Sequence, residues 1–179
     1  MGMREVHLMF FVAVEDGVRT RDEAATAVGY QVRGVDAGRF MQGSWRSLDA
    51  TVYTELFDGY QLVSIGISAL TFSEIRHGDH PEISAPQFAD WFAETAYELH
   101  TEIGMLPFRS HQNEPEWPPT IYDLVRFHEI GALLDENFAF LYLARGIPYE
   151  AYLGPQERAL NKQGGVLLFD ADDSQWAAE

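Results

Sequence analysis

Cysteine is absent from this chain of 179 residues, which excludes disulfides, thiolate nucleophiles and cysteine-ligated zinc sites. Lysine is nearly absent, since Lys162 is the only one. No uninterrupted apolar run approaches the roughly 18 residues that a membrane span requires. The N-terminus also lacks the basic and apolar regions of a secretory signal. From these absences we expect a cytoplasmic protein with no membrane partner.

The usual sequence motifs of enzymes are missing as well. The chain has no glycine-rich phosphate loop, no Gly-x-Ser-x-Gly elbow, no His-Glu-x-x-His pair and no calcium-binding loop pattern. These absences favour a non-enzymatic role and predict no cofactor. Catalytic carboxylates can still come from distant positions, so an enzyme stays an alternative.

Negative charge is what the chain has in excess, with 28 acidic against 12 basic residues and a net charge of −16. Such a field repels nucleic acids and anionic membranes and attracts basic proteins or metal ions. We therefore expect a basic protein partner and no nucleic-acid partner. The length and a hydrophobic fraction of 46% predict a single domain over residues 1–179, in which the acidic tail 171–179 frays.

Residues 84–104 carry the sequence signals for both ends of an amphipathic helix. Ser84 and Gln87 form a capping box, and Gly104 suits the left-handed residue that ends a helix. Apolar side chains recur at helical spacing and predict one buried face. They are Phe88, Trp91, Phe92, Thr95, Leu99 and Ile103. The sequence therefore predicts a helix over 85–103.

The opposite side of this helix carries a carboxylate at every fourth residue, with no lysine or arginine between them. We call these residues the acidic ridge: Asp90, Glu94, Glu98 and Glu102. Each neighbouring pair repels by roughly 0.2–0.5 kcal/mol, so we interpret the acidic ridge as a surface kept for a cation or a basic partner. The alternative is that Arg39 and Arg46, from a predicted loop over 34–48, fold back and neutralise it.

Strands are predicted near 5–15, 50–57, 60–69 and 165–169, where β-branched and aromatic residues dominate. Asp58-Gly59 favours a two-residue hairpin turn, which opposes Phe57 to Tyr60 and Tyr53 to Ser64.

A second main helix is predicted over 121–135, after a capping box at Thr120 and Asp123. Residues 138–152 fit helix or strand equally well. These elements predict an α+β fold, a mixed or mainly antiparallel sheet with two main helices packed on one face. The strand order does not follow from the sequence.

Residues 105–119 form a connection rich in proline and aromatic residues that is longer than compact domains usually need. Loops of this kind are often functional. Phe108, Arg109 and Trp117 therefore join the acidic ridge as predicted partner-binding residues. Closure of one end of the core is the alternative interpretation of this loop.

Metal binding by histidines is an alternative that we do not adopt. His77, Asp79, His80 and His111 are of residue types that bind zinc, but nothing in their spacing requires an ion. We predict no metal site.

The net charge and the acidic ridge together predict a non-enzymatic acidic binding protein with a basic protein partner, of the inhibitor, immunity or nucleic-acid-mimic type. Charge complementarity would speed association and make it sensitive to salt. The alternative is a magnesium-dependent hydrolase of nucleotides. In that case Glu94, Glu98 and a carboxylate of the second helix, Asp123 or Glu129, hold the ion. The sequence indicates no oligomeric state.

Overall fold

The computed structural model describes residues 4–33, 40–57, 59–107, 119–136 and 138–177. The strands in these ranges are β1 (Glu5–Ala13), β2 (Tyr30–Val32), β3 (Phe40–Trp45), β4 (Leu48–Phe57), β5 (Tyr60–Ser68), β6 (Ile103–Pro107), β7 (Phe138–Ala144), β8 (Glu157–Lys162) and β9 (Gly165–Asp170). The α-helices are α1 (Arg21–Ala27), α2 (Ala69–His77), α3 (Ala85–Glu98), α4 (Pro119–Arg126) and α5 (Ile130–Leu134). Short 3-10 helices lie at Val14–Asp16, Glu150–Tyr152 and Ala171–Trp176.

These strands form one nine-stranded sheet in the order β2-β3-β4-β5-β1-β6-β7-β9-β8, and each neighbouring pair is antiparallel. The architecture is α+β, as predicted. The hairpin of β4 and β5 has the predicted register, with Phe57 opposite Tyr60 and Tyr53 opposite Ser64. None of the helices in the described ranges combines the length and the apolar character that a bilayer span demands.

Helices cover the sheet on both faces. Along β1, Leu8 and Phe10 belong to one apolar cluster, while Met9 and Phe11 belong to another. Successive side chains of a strand point to opposite faces, so the two clusters lie on opposite sides of the sheet. We call these sides the α3 face and the α4 face.

Helix α3 packs on the α3 face and helices α4 and α5 pack on the α4 face. Phe88 and Phe92 of α3 belong to the cluster of Leu8, whereas Ile121 of α4 and Leu133 of α5 belong to the cluster of Met9. The predicted arrangement of both main helices on one face is therefore not confirmed.

Both main helices are shorter than the sequence predicts. Helix α3 ends at Glu98 instead of residue 103, because His100 takes the left-handed conformation (φ 57°) that was predicted for Gly104. The second helix is interrupted between α4 and α5, where His128 has φ 50°. The residues after α3 then enter β6, which pairs with β1 and β7. Strand pairing overrides the helical periodicity at these positions.

The residues after β9 are anchored in the core, which corrects the predicted frayed tail for 171–176. Trp176, at the end of the 3-10 helix Ala171–Trp176, is completely buried. Its ring stacks on Phe72 at a centroid distance of 5.9 Å and meets Phe140 edge to face at 5.2 Å. Such aromatic pairs add stabilisation beyond the burial of area.

We expect Trp176→Ala to lower the free energy of unfolding by about 3–5 kcal/mol, because it removes a buried indole and leaves a cavity. Urea denaturation measures this loss. The control is Leu70→Ala on α2, whose side chain is 70% exposed and which should change stability by less than about 0.5 kcal/mol. Equal, small effects of the two substitutions would show that residues 171–176 do not stabilise the core.

Candidate functional site

The structure neutralises part of the acidic ridge from within the chain. Asp90 forms an ion pair with Lys162, and Glu94 Oε2 lies 2.9 Å from Arg46 Nη2. The Arg46 guanidinium also lies 5.8 Å from the centre of the Trp91 ring, a cation–π distance. The expectation of an unneutralised ridge is wrong at Asp90 and Glu94, and the alternative that Arg46 folds back is correct.

Glu102 is separated from the rest of the ridge because α3 ends before it. Its Oε1 accepts a hydrogen bond of 2.8 Å from the Tyr60 hydroxyl and also contacts His128 Nε2. Burial raises the pKa of Tyr60, and the hydrogen bond to Glu102 raises it further. The contact between Glu102 and His128 joins the start of β6 to the turn between α4 and α5. Of the ridge, Glu98 alone contacts no lysine, arginine or histidine side chain among the described residues.

Several predicted or alternative site residues lie outside the described residues: Arg39, Phe108, Arg109, His111 and Trp117. His77 contacts Ser73 within α2, and His80 Nδ1 accepts backbone hydrogen bonds from Glu82 and Ile83. No group of three or more candidate ligands placed to hold a metal ion occurs in the described part of the chain.

The alternative of a magnesium site on facing helices is not supported. Glu94 and Glu98 belong to α3, whereas Asp123 belongs to α4 on the opposite face of the sheet. One ion cannot contact carboxylates on both faces, because a layer of buried side chains and the sheet separate them. Asp123 Oδ1 lies instead 3.5 Å from Arg126 Nη2 on the same helix.

A cavity opens where β7 and β9 diverge. Their pairing begins at Leu141 and Leu168, so Phe138–Phe140 and Phe169–Asp170 extend beyond the shared ladder. The first segment stays paired with β6 and the second with β8. The gap between them has a volume of about 300 Å³.

The rim of this cavity is strongly negative, and we call it the acidic cavity. Its carboxylate residues are Glu136, Glu157, Asp170, Asp172 and Asp173. Among the described residues of its lining Arg76 is the one basic residue, and its Nη2 lies 3.1 Å from Asp173 Oδ1. The apolar part of the lining comes from Leu134, Phe138, Phe140, Leu141, Leu168 and Phe169.

Three of these carboxylates have partners within the fold. Glu157 Oε2 accepts the backbone N–H of Gly154 at 2.8 Å, Asp170 Oδ1 accepts that of Asp172 at 2.8 Å, and Asp173 is bound by Arg76. The sequence alone does not indicate this cavity, because its residues come from four separate segments. The one sequence feature that points to this cavity is the run of aspartates after β9, for which the sequence predicts a frayed tail.

A second polar group of residues lies on the α4 face, beyond the apolar cluster. The carboxylate of Glu5 accepts hydrogen bonds of 3.3 Å from the hydroxyls of Thr51 and Tyr53, and its Oε2 lies 3.7 Å from His7 Nε2. His7 Nδ1 lies 3.2 Å from Ser64 Oγ, and both of these side chains are completely buried. We call these five residues the Glu5 cluster.

Burial raises the pKa of Glu5, and the hydrogen bonds from Tyr53 and Thr51 oppose this shift. Ser64 and His7 resemble a nucleophile and its base, but buried side chains in mid-strand give a substrate no access to Ser64. Glu5 reaches solvent, with 20% of its side chain exposed, and Thr51 is half-buried.

Comparison of the chain with protein-family models, curated proteins and solved structures finds no match.

We expect Glu5 to make stability fall as the pH rises above its ordinary value of 4.5. A carboxyl with a raised pKa in the folded state binds its proton more tightly there, so folding loses this contribution as the pH passes through the raised value. Urea denaturation from acid to neutral pH should show the stability of the wild type falling relative to Glu5→Gln. If the stability of the wild type rose with pH relative to Glu5→Gln, desolvation of Glu5 would be contradicted. As a control, the stability difference between the wild type and Leu70→Ala should not change with pH.

Proposed function

We propose that this chain is an acidic binding protein whose partner is a basic protein, and that cationic side chains of the partner enter the acidic cavity. The observation that carries the proposal is the composition of that cavity, in which five carboxylates face one guanidinium. The inhibitor, immunity and nucleic-acid-mimic roles stay predictions of the sequence. The proposal requires no catalytic group.

The lining of the acidic cavity suits an arginine or lysine side chain. Long basic side chains bury an apolar stem while their charged head stays at a polar surface. Phe138 and Leu168 supply an apolar wall for the stem, and the rim supplies carboxylates for the head. Arginine is favoured over lysine because its planar guanidinium binds carboxylates in two places at once.

An internal contact supports the same chemistry. Arg76 already places a guanidinium on Asp173 at this rim, with a side chain that is 32% exposed. The rim carboxylates Glu136 and Asp172 accept no hydrogen bond at their side chains from the residues that the structure describes. A cation of the partner can therefore bind Glu136 and Asp172 without breaking a contact within the fold.

The net charge of −16 supports association at long range. A protein field of one sign steers an oppositely charged partner and raises the association rate, and salt weakens this effect. Asp90 and Glu94 are already paired with cations of the same chain. The basic partner is therefore expected to bind at the acidic cavity and not along α3.

The test is binding of a hexa-arginine peptide by isothermal titration calorimetry at low and at physiological salt. The double variant Glu136→Gln/Asp172→Asn should weaken binding by about three- to tenfold, since two exposed charge pairs are lost. These two residues are chosen because their side chains support no described contact in the fold. Added salt should weaken binding to the wild type.

The matched control is Glu94→Gln/Glu98→Gln, which removes the same charge from the acidic ridge. We expect its affinity to stay within about twofold of the wild type, because Glu94 is already paired with Arg46. Loss of affinity only in the control would place the partner on the ridge and contradict the cavity. Equal affinities of the wild type and both variants would contradict the proposed function.

A further inference from the structure

The α4 face of the sheet changes from apolar to polar along its strands. On β1 the side chains of this face run from Met9 through His7 to Glu5, and on β5 they run from Leu62 through Ser64 to Ser68. The apolar cluster under α4 and α5 includes Met9 and Leu62 but none of the residues beyond them. The polar end of this face is therefore not part of the apolar core.

A cavity of about 800 Å³ lies at this polar end, well above the volume of the acidic cavity. Register places Asp49 and Thr51 of β4 and Gln42 of β3 on the same face as Glu5. Ser68, Thr71 and His80 add polar groups from the start of α2 and the loop after it. We call this the polar cavity, and its volume lies within the range of small-molecule sites.

The chemistry of the lining is rich in hydrogen-bonding groups and nearly neutral. Thr51, Ser68 and Thr71 contribute hydroxyls, and Gln42 contributes an amide. The two ends of the Arg33–Asp49 ion pair also lie in this lining, so the guanidinium is already neutralised. A phosphate ligand would need cations without a partner. The apolar side chains of the lining, Leu48 and Ala50, are both buried and leave the polar groups more accessible to a ligand.

Two lining groups are held in fixed orientations. Glu5 is fixed by Thr51 and Tyr53, and Gly66 leaves the space for it, since a Cβ there would lie 2.7 Å from Glu5 Oε2. His80 Nδ1 accepts two backbone hydrogen bonds, of 3.2 and 3.0 Å, so Nε2 carries the proton of the neutral ring and is a donor. A fixed acceptor and a fixed donor on one cavity are typical of a preorganised polar site.

We propose that the polar cavity binds a small, neutral, polyhydroxylated ligand of the sugar or cyclitol class, with Glu5 as its central hydrogen-bond acceptor. Vicinal hydroxyls of such a ligand both donate and accept, which matches a lining of carboxylate, amide, hydroxyl and imidazole groups. Thr51 and Tyr53 are positioning residues for the Glu5 carboxylate. This site lies on different strands from the acidic cavity and does not depend on the function proposed above.

The test follows backbone amide resonances by two-dimensional NMR during titration with D-glucose, N-acetyl-D-glucosamine, maltose and myo-inositol. At least one of these probes should shift the amides of Gln42, Thr71 and His80 in a saturable way, and the amides of Asp172 and Glu136 should not move. D-glucose 6-phosphate and spermine serve as the anionic and cationic probes. They should bind at the polar cavity at least tenfold more weakly than the best neutral probe.

Variants then separate binding from folding. Glu5→Gln and Thr71→Val should each weaken the best probe at least tenfold. Asp172→Asn in the acidic cavity is the matched control and should not change the affinity. The proposal is overturned if no neutral probe shifts these amides, if the charged probes bind there more tightly, or if folded Glu5→Gln and Thr71→Val bind as the wild type does.

Discussion

The structure depends on one strand that is buried on both of its faces. Six consecutive side chains of β1, from Val6 to Phe11, are almost completely excluded from water, and alternate ones contact two separate apolar clusters. A strand of this kind needs layers on both sides, because apolar area left in water costs about 25 cal/mol per Å². The helices on the two faces follow from this requirement. So does the separation of the acidic residues of α3 from those of α4, which removes any shared ion site.

Residues of the sheet and its turns balance part of the negative charge on α3. The cations at Arg46 and Lys162 come from a hairpin turn and a strand, and they reduce the negative field along α3. Two carboxylates without a described hydrogen-bond partner, Glu136 and Asp172, lie at the cavity where β7 and β9 separate. The polar cavity, by contrast, is lined by hydroxyl, amide, carboxylate and imidazole groups around Glu5. The two cavities therefore differ in chemistry as well as in place.

Local signals in the sequence predicted the elements that depend on neighbouring residues. The Asp58-Gly59 turn gave the right register for β4 and β5, and the cap at Ser84 gave the right start of α3. Strand β3 was missed because its turn to β4 uses Arg46 and Ser47 at positive φ, without the glycine or asparagine that usually marks such a turn. Its geometry also brought Arg46 to the acidic ridge. The acidic cavity could not be predicted, since only the strand order joins its segments.

The placement of β1 has a consequence for biosynthesis. Phe10 pairs with Val63 on one side and Gly104 on the other, so β1 lacks both neighbouring strands during synthesis until residue 104 has been made. Contacts between such distant residues slow folding, and an apolar segment that waits for them is prone to aggregate. The nascent chain is therefore expected to need shielding by a chaperone, and its yield should depend on the rate of translation.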